Sequence, residues 1–121
     1  MAVARSGMHW SLEASIRAGR ADEAHALMKE LVASSQQEPG TRGYEWFIAG
    51  NGIDCHIYER YADSEGALAH LRNFKDNFSE RFIACFEQPS MKVFGEPNAE
   101  LKRILDNFGA SYYTMVAGFN N

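Results

Sequence analysis

E-P-G-T-R-G-Y-E-W-F-I-A-G-N-G-I-D-C-H-I-Y-E-R-Y-A-D-S-E-G-A-L-A-H-L, residues 38–71, is the stretch from which the fold can be read. Asn51-Gly52 sits at its centre, and Asn-Gly is the pair that best tolerates the two positive φ angles of a two-residue type I′ turn. The reading is therefore a β-hairpin with Gly50 facing Ile53. Pairs follow outward: Ile48 with Cys55, Trp46 with Ile57 and Tyr44 with Glu59. Side chains alternate along a strand, so these residues share one face. The other face carries Glu45, Phe47, Ala49, Asp54, His56, Tyr58 and Arg60.

On the N-terminal side, His9 to Arg17 alternates Trp10, Leu12, Ala14 and Ile16 with polar residues, the pattern of a half-buried strand. Residues Ala21 to Ser35 place Ala24, Leu27, Met28, Leu31 and Val32 at helical spacing, with Asp22 and Glu23 in the first turn. Glu38-Pro39-Gly40 ends the linker that follows. On the C-terminal side, Ala62-Asp63-Ser64 reads as an N-cap before a helix carrying Ala67, Leu68, Leu71, Phe74 and Phe78, and His70 lies on or beside that apolar stripe. A second helical piece spans Ser79 to Glu87 and closes at Gln88-Pro89; Met91 to Gly95 reads as a short strand. The order β-α-β-β-α-β is the ferredoxin-like arrangement, an α+β fold of four antiparallel strands covered on one face by two helices. A helix over Asn98 to Phe108 and an extended tail over Ser111 to Phe119 complete the chain.

The 121 residues suit one domain, with a core over about 8–97 and an extension over 98–121. A net charge of −4, without any run of Lys or Arg, argues against nucleic acid as a partner. No apolar run approaches a membrane span, and the start M-A-V-A-R-S-G-M-H-W lacks the apolar core of a secretory signal, which makes a cytoplasmic protein the expectation. Cys55 and Cys85 are isolated and read as small buried thiols. His9, His25, His56 and His70 show no metal-ligand spacing; haem, which needs a single axial His, stays open.

One sheet face would lie under the helices, lined by Trp10, Leu12, Ile16, Trp46, Ile48 and Ile57. The other would leave Phe47 and Tyr58 in water, with His56 beside them. Two such faces packed about a two-fold axis would bury this patch, so a homodimer is expected.

E-P-G-T-x-x-Y at 38–44, I-Y-E-R-Y at 57–61, D-S-E-x-A-L-x-H-L at 63–71 and V-F-G-E-P at 93–97 together resemble the antibiotic biosynthesis monooxygenase (ABM) family, over roughly residues 8–97. The resemblance implies a dimeric α+β barrel. For characterised members it implies oxygenation of hydroquinones or anthrone-like polyketides without a cofactor, while other relatives act as isomerases, degrade haem or have no assigned activity. It marks His70 and Glu59 as candidate site residues. The Asn and Trp arrangement of some polyketide-modifying members has no match here beyond Trp46 as a loose analogue.

By parity Glu59 lies on the helix-facing side, where an unpaired carboxylate is costly, so a partner is expected. His70 projects over the same face, and a hydrogen bond donated by its ring N–H to Glu59 would fix one imidazole tautomer and raise its basicity. For oxygenation, His70 is read as the base that takes a proton from a phenolic or anthrone substrate, Glu59 as its orienter, and Tyr44, Trp46 and Tyr61 as aromatic walls and donors. The alternatives are a structural Glu59–His70 pair in a non-catalytic small-molecule-binding dimer, or an isomerase, which needs the same base and no oxygen.

Overall fold

Alternation begins at Met8: Met8, Trp10, Ala14 and Ile16 are buried along β1 (Met8–Ile16), in a computed structural model that describes residues 7–120. The reading of the extreme N-terminus rests largely on residues 1–6, which lie outside the described ones. The chain continues through α1 (Ala21–Gln36), β2 (Thr41–Ile48), β3 (Asp54–Tyr61), α2 (Ser64–Asn77), α3 (Ser79–Cys85), β4 (Phe86–Phe94), α4 (Ala99–Asn107) and β5 (Ser111–Tyr113). The sheet order is β2-β3-β1-β4-β5, antiparallel except for the β4–β5 pair. This is the expected α+β, ferredoxin-like arrangement with a fifth strand added.

The hairpin register is the one read from the sequence: Tyr44 faces Glu59, Trp46 faces Ile57 and Ile48 faces Cys55. Its turn is not. Among the described non-glycine residues only Gln88 has a positive φ, so Asn51 does not adopt the type I′ conformation. Instead the Ala49 N–H donates to the Asp54 carbonyl, and Gly52, at φ 71°, closes a turn by donating to the Ala49 carbonyl. The Asn51 side chain makes this longer loop possible: Oδ1 accepts from the amides of Ile53 (2.8 Å) and Asp54 (3.1 Å), local bonds for which Asn is well suited.

The second half of the fold departs from expectation at Gln88-Pro89. α3 stops at Cys85 and β4 begins at Phe86, so the strand runs through the proline rather than starting after it. Glu87 faces Ser15 and Ser90 faces Glu13, which leaves Gln88 and Pro89 as a bulge opposite Ala14. A bulge is where a sheet tolerates a residue without an N–H, and Gln88 supplies the sharp turn with φ 54°. The tail is strand only over Ser111–Tyr113, in parallel register with Lys92–Phe94, rather than extended to Phe119.

Four helices cover one face in two groups. Against α2 and α4 packs a cluster containing Trp10, Tyr61, Leu68, Val93, Leu101 and Leu105; a second cluster contains Leu27, Leu31, Ile57, Phe82 and Phe86, from α1, α3 and the sheet. Leu12 packs against both. Cys55 and Cys85 are buried free thiols.

Asp63 caps α2 by accepting from the Gly66 amide at 2.8 Å, and there the loop before β2 presses on the helix. A Cβ on Gly40 would lie 2.6 Å from the Gly66 Cα, and one on Gly66 would lie 2.7 Å from the Gly40 oxygen. Backbone stands against backbone, so no side chain can swing away. Gly40→Ala is expected to destabilise the protein by about 1–3 kcal/mol, read as a lower thermal midpoint; an unchanged midpoint would refute the close contact.

Candidate functional site

One row of facing residues runs across the sheet: Tyr44 on β2, Glu59 on β3, Trp10 on β1 and Val93 on β4. Above it α2 lowers His70, which is 4% exposed, as is Glu59. His70 Nε2 lies 3.3 Å from Glu59 Oε1, and His70 Nδ1 lies 2.9 Å from an oxygen of a second acid, Glu38.

Glu38 sits just beyond α1 and is gripped from several sides. Its Oε1 accepts from the Thr41 hydroxyl (2.7 Å), and its Oε2 accepts from Asn73 Nδ2 (2.8 Å), which also reaches Ser34 Oγ (2.8 Å). Asn73 lies one helical turn beyond His70, so α2 holds Glu38 with two successive side chains. In the sequence Glu38 stands at the end of a linker and opens the family-like E-P-G-T-x-x-Y stretch, and neither feature points to its role beside His70. The available signal was the Glu38/Thr41 spacing, a carboxylate and a hydroxyl three residues apart around Pro-Gly.

With a carboxylate oxygen beside each ring nitrogen, a neutral His70 would turn a lone pair toward one of them. The imidazolium, which has two N–H donors, satisfies both. Burial disfavours that charge, but the bonds and charges of Glu38 and Glu59 outweigh it and raise the pKa from 6.5 to about 9. Burial pulls the Glu38 carboxyl upward, and its bonds from His70, Thr41 and Asn73 reverse the effect and leave it below its usual value. Burial and the Glu59 charge hold the Tyr44 and Tyr61 phenols well above 10, so both stay protonated.

Tyr61 donates to Glu59 Oε1 at 2.5 Å. That oxygen therefore faces both Tyr61 and His70, whereas Glu59 Oε2 has no partner among the described residues. Glu59 borders a cavity of about 250 Å³ at the seam between the two core clusters. Its walls are mainly apolar, including Trp10, Leu12, Ile57, Leu71, Phe74, Phe82 and Met91, and Tyr44, Glu59 and His70 form a polar end. Of the residues singled out in the sequence, Tyr44, Glu59 and His70 thus meet at the cavity. Tyr61 stands behind Glu59 with its ring against Trp10, and Trp46 packs on Phe86 with its centroid 6.4 Å from that of Tyr44; neither borders the cavity.

The sequence profile of the antibiotic biosynthesis monooxygenase family matches residues 11–87, from β1 to the start of β4. The chain belongs to this family. Among solved structures, MupZ from Pseudomonas fluorescens is similar over 97% of this chain and 96% of its own, with a TM-score of 0.82 at 21% identity. A Nitrosomonas europaea protein whose assignment as an antibiotic biosynthesis monooxygenase is provisional in its own description covers 82% of this chain and 98% of its own, with a TM-score of 0.68 at 14% identity. A Shewanella oneidensis protein covers 76% and 92%, with a TM-score of 0.63 at 12% identity. At these identities the likeness is one of fold. The MupZ alignment extends into the region of α4 and β5 that this ABM chain adds to the ferredoxin-like core. No curated protein matches the sequence.

Proposed function

We propose that this ABM protein is a cytoplasmic homodimeric enzyme that takes a proton from a small aromatic, quinol-like or polyketide-like compound and passes the resulting anion to dioxygen without a cofactor. Glu59 is the base. The observation that carries this reading is that Glu59, whose Oε2 has no partner among the described residues, borders a mainly apolar cavity. His70, which the sequence suggested as the base, already holds its proton between two acids and serves as a fixed cation that orients Glu59. Tyr44, at the cavity, and Tyr61, behind Glu59, are protonated donors.

For an anthrone-type substrate, Glu59 removes a proton from the methylene carbon to leave an enolate. The enolate gives one electron to dioxygen, and the radical pair recombines as a peroxide. Loss of water then leaves a carbonyl carrying one oxygen atom of the original O₂. Apolar walls protect the radical pair from water. Oxygen uptake with hydroquinones and anthrones, chelator present, is expected to exceed autoxidation and to place one labelled atom of ¹⁸O₂ in the product. Uptake at background would remove the oxygenase reading. Glu59 would equally serve an isomerase, in which the proton returns to another carbon; solvent deuterium entering the substrate without oxygen uptake would identify that reaction.

The homodimer rests on the uncovered sheet face. Phe47 and Tyr58 are each about half exposed there, with ring centroids 5.7 Å apart, beside His56, whose Nε2 lies 2.7 Å from Glu13 Oε1. Sedimentation is expected to give a dimer for the wild type and a monomer for Phe47→Glu, which would bury a charge in the joined faces. A wild-type monomer at micromolar concentration would refute it.

A further inference from the structure

The cavity beside Glu59 adjoins a groove of about 460 Å³ between α2 and α4. Leu71, Phe74, Ser79 and Phe108 border both spaces. The inner cavity alone is slightly smaller than the roughly 300–1,000 Å³ that encloses most small ligands, so a larger molecule would extend into the groove. Along the α2 rim stand Arg72 and Lys75, three residues apart on the same side of the helix and both exposed. Neither side chain has an ion pair or hydrogen bond among the described residues. Arg17, Arg20, Arg81 and Lys102 are each paired with a carboxylate, whereas Arg72 and Lys75, like Lys29, Arg60, Lys92 and Arg103, have no carboxylate partner among the described residues. The opposite rim contributes one acid, Glu100, so these three charges leave the groove net positive in a chain whose net charge is −4.

The cavity and the groove differ in charge. At the inner end, Glu38 and Glu59 surround a single His70, which leaves a net negative charge and makes burial of another anion unfavourable. At the outer end, two free cations face solvent. We propose that the substrate is an amphiphilic carboxylate, with an apolar ring system in the cavity and an acid group in the groove against Arg72 and Lys75. The inference rests on the assignment of the cavity as the substrate site, and it adds substrate class and orientation. The reacting carbon enters toward Glu59 because the acid group is repelled from that end and held at the other.

Calorimetric titration with 4-(2-naphthyl)butanoate and with its uncharged amide tests this directly. The wild type is expected to bind the acid about fivefold more tightly than the amide, an advantage that shrinks with added salt. In R72A/K75A the acid is expected to fall to the affinity of the amide, while the amide binds as it does to the wild type. Both substituted residues are exposed, and the circular dichroism spectrum should not change. Equal affinities in the wild type, a preference that survives in R72A/K75A, or no binding of either probe would overturn the proposal. The acid preference together with no turnover of any phenolic or anthrone-type acid would remove the oxygenase chemistry and support the groove assignment.

Discussion

Replacing His70 with alanine is expected to cost about 3–5 kcal/mol of folding stability, because it removes the cation between the buried Glu59 and the partly buried Glu38. Glu38 and Glu59 would then be left with only neutral donors and no cation to balance them. The loss should depend on pH in a defined direction. The folded-state pKa of His70 lies near 9, above its ordinary 6.5. Its stabilisation is therefore fully present below about pH 6.5 and fades as pH rises through 9, amounting to roughly 3 kcal/mol at its maximum. The Glu38 pKa is depressed, so its contribution has the opposite sense: present above its ordinary 4.5 and lost as pH falls through the folded value. Wild-type stability should thus be greatest around pH 5–6.5 as far as these groups decide it. Urea unfolding of the two proteins across pH 5 to 10 measures the difference. A gap between them that stays constant up to pH 10 would show that His70 is not held as a cation.

Glu59→Gln is expected to lower turnover by about 10²–10⁴-fold, the usual contribution of a positioned general base. The amide oxygen can still accept from Tyr61 and from His70, so the fold and the affinity for substrate should change far less than the rate. This contrast separates the catalytic role from a structural one. If Glu59 only fixes the strand–helix junction, the variant will retain activity within a few-fold of the wild type, and the base must be sought elsewhere. If it is the base, the fall will appear in kcat, with KM little altered.

Local patterns in the sequence were enough for the strands and helices that form the core. The hairpin register follows from alternation, because a slip of one residue would have turned Trp46 and Ile57 away from the helices. Asp63 could be read as a cap because Asp immediately before an amphipathic run has a local physical role. The type I′ turn expected at Asn51-Gly52 does not form, because Asn can stabilise a loop through its side chain as well as through its φ angle. The early start of β4 was hidden by Pro89, which halts a regular strand but is accommodated where a bulge spares it a ladder bond.

The site divides in the same way. Parity alone placed Glu59 under the helices, and helical spacing placed His70 above it; each is a short-range regularity of the backbone. Glu38 could not be found by either route, because its meeting with His70 depends on how the α1–β2 loop lies against α2, and that approach is set by the Gly40–Gly66 contact. The same tertiary contact bears on the imidazole pKa. One acid beside an imidazole would raise its basicity and leave it a base, whereas an acid on each side makes it a cation. Periodicity and the cost of exposing apolar groups were enough to read the fold, the covered face and the presence of a buried acid and histidine. The raised pKa of His70 needed the folded chain, because it depends on the summed electrostatics of groups 32 residues apart in the sequence.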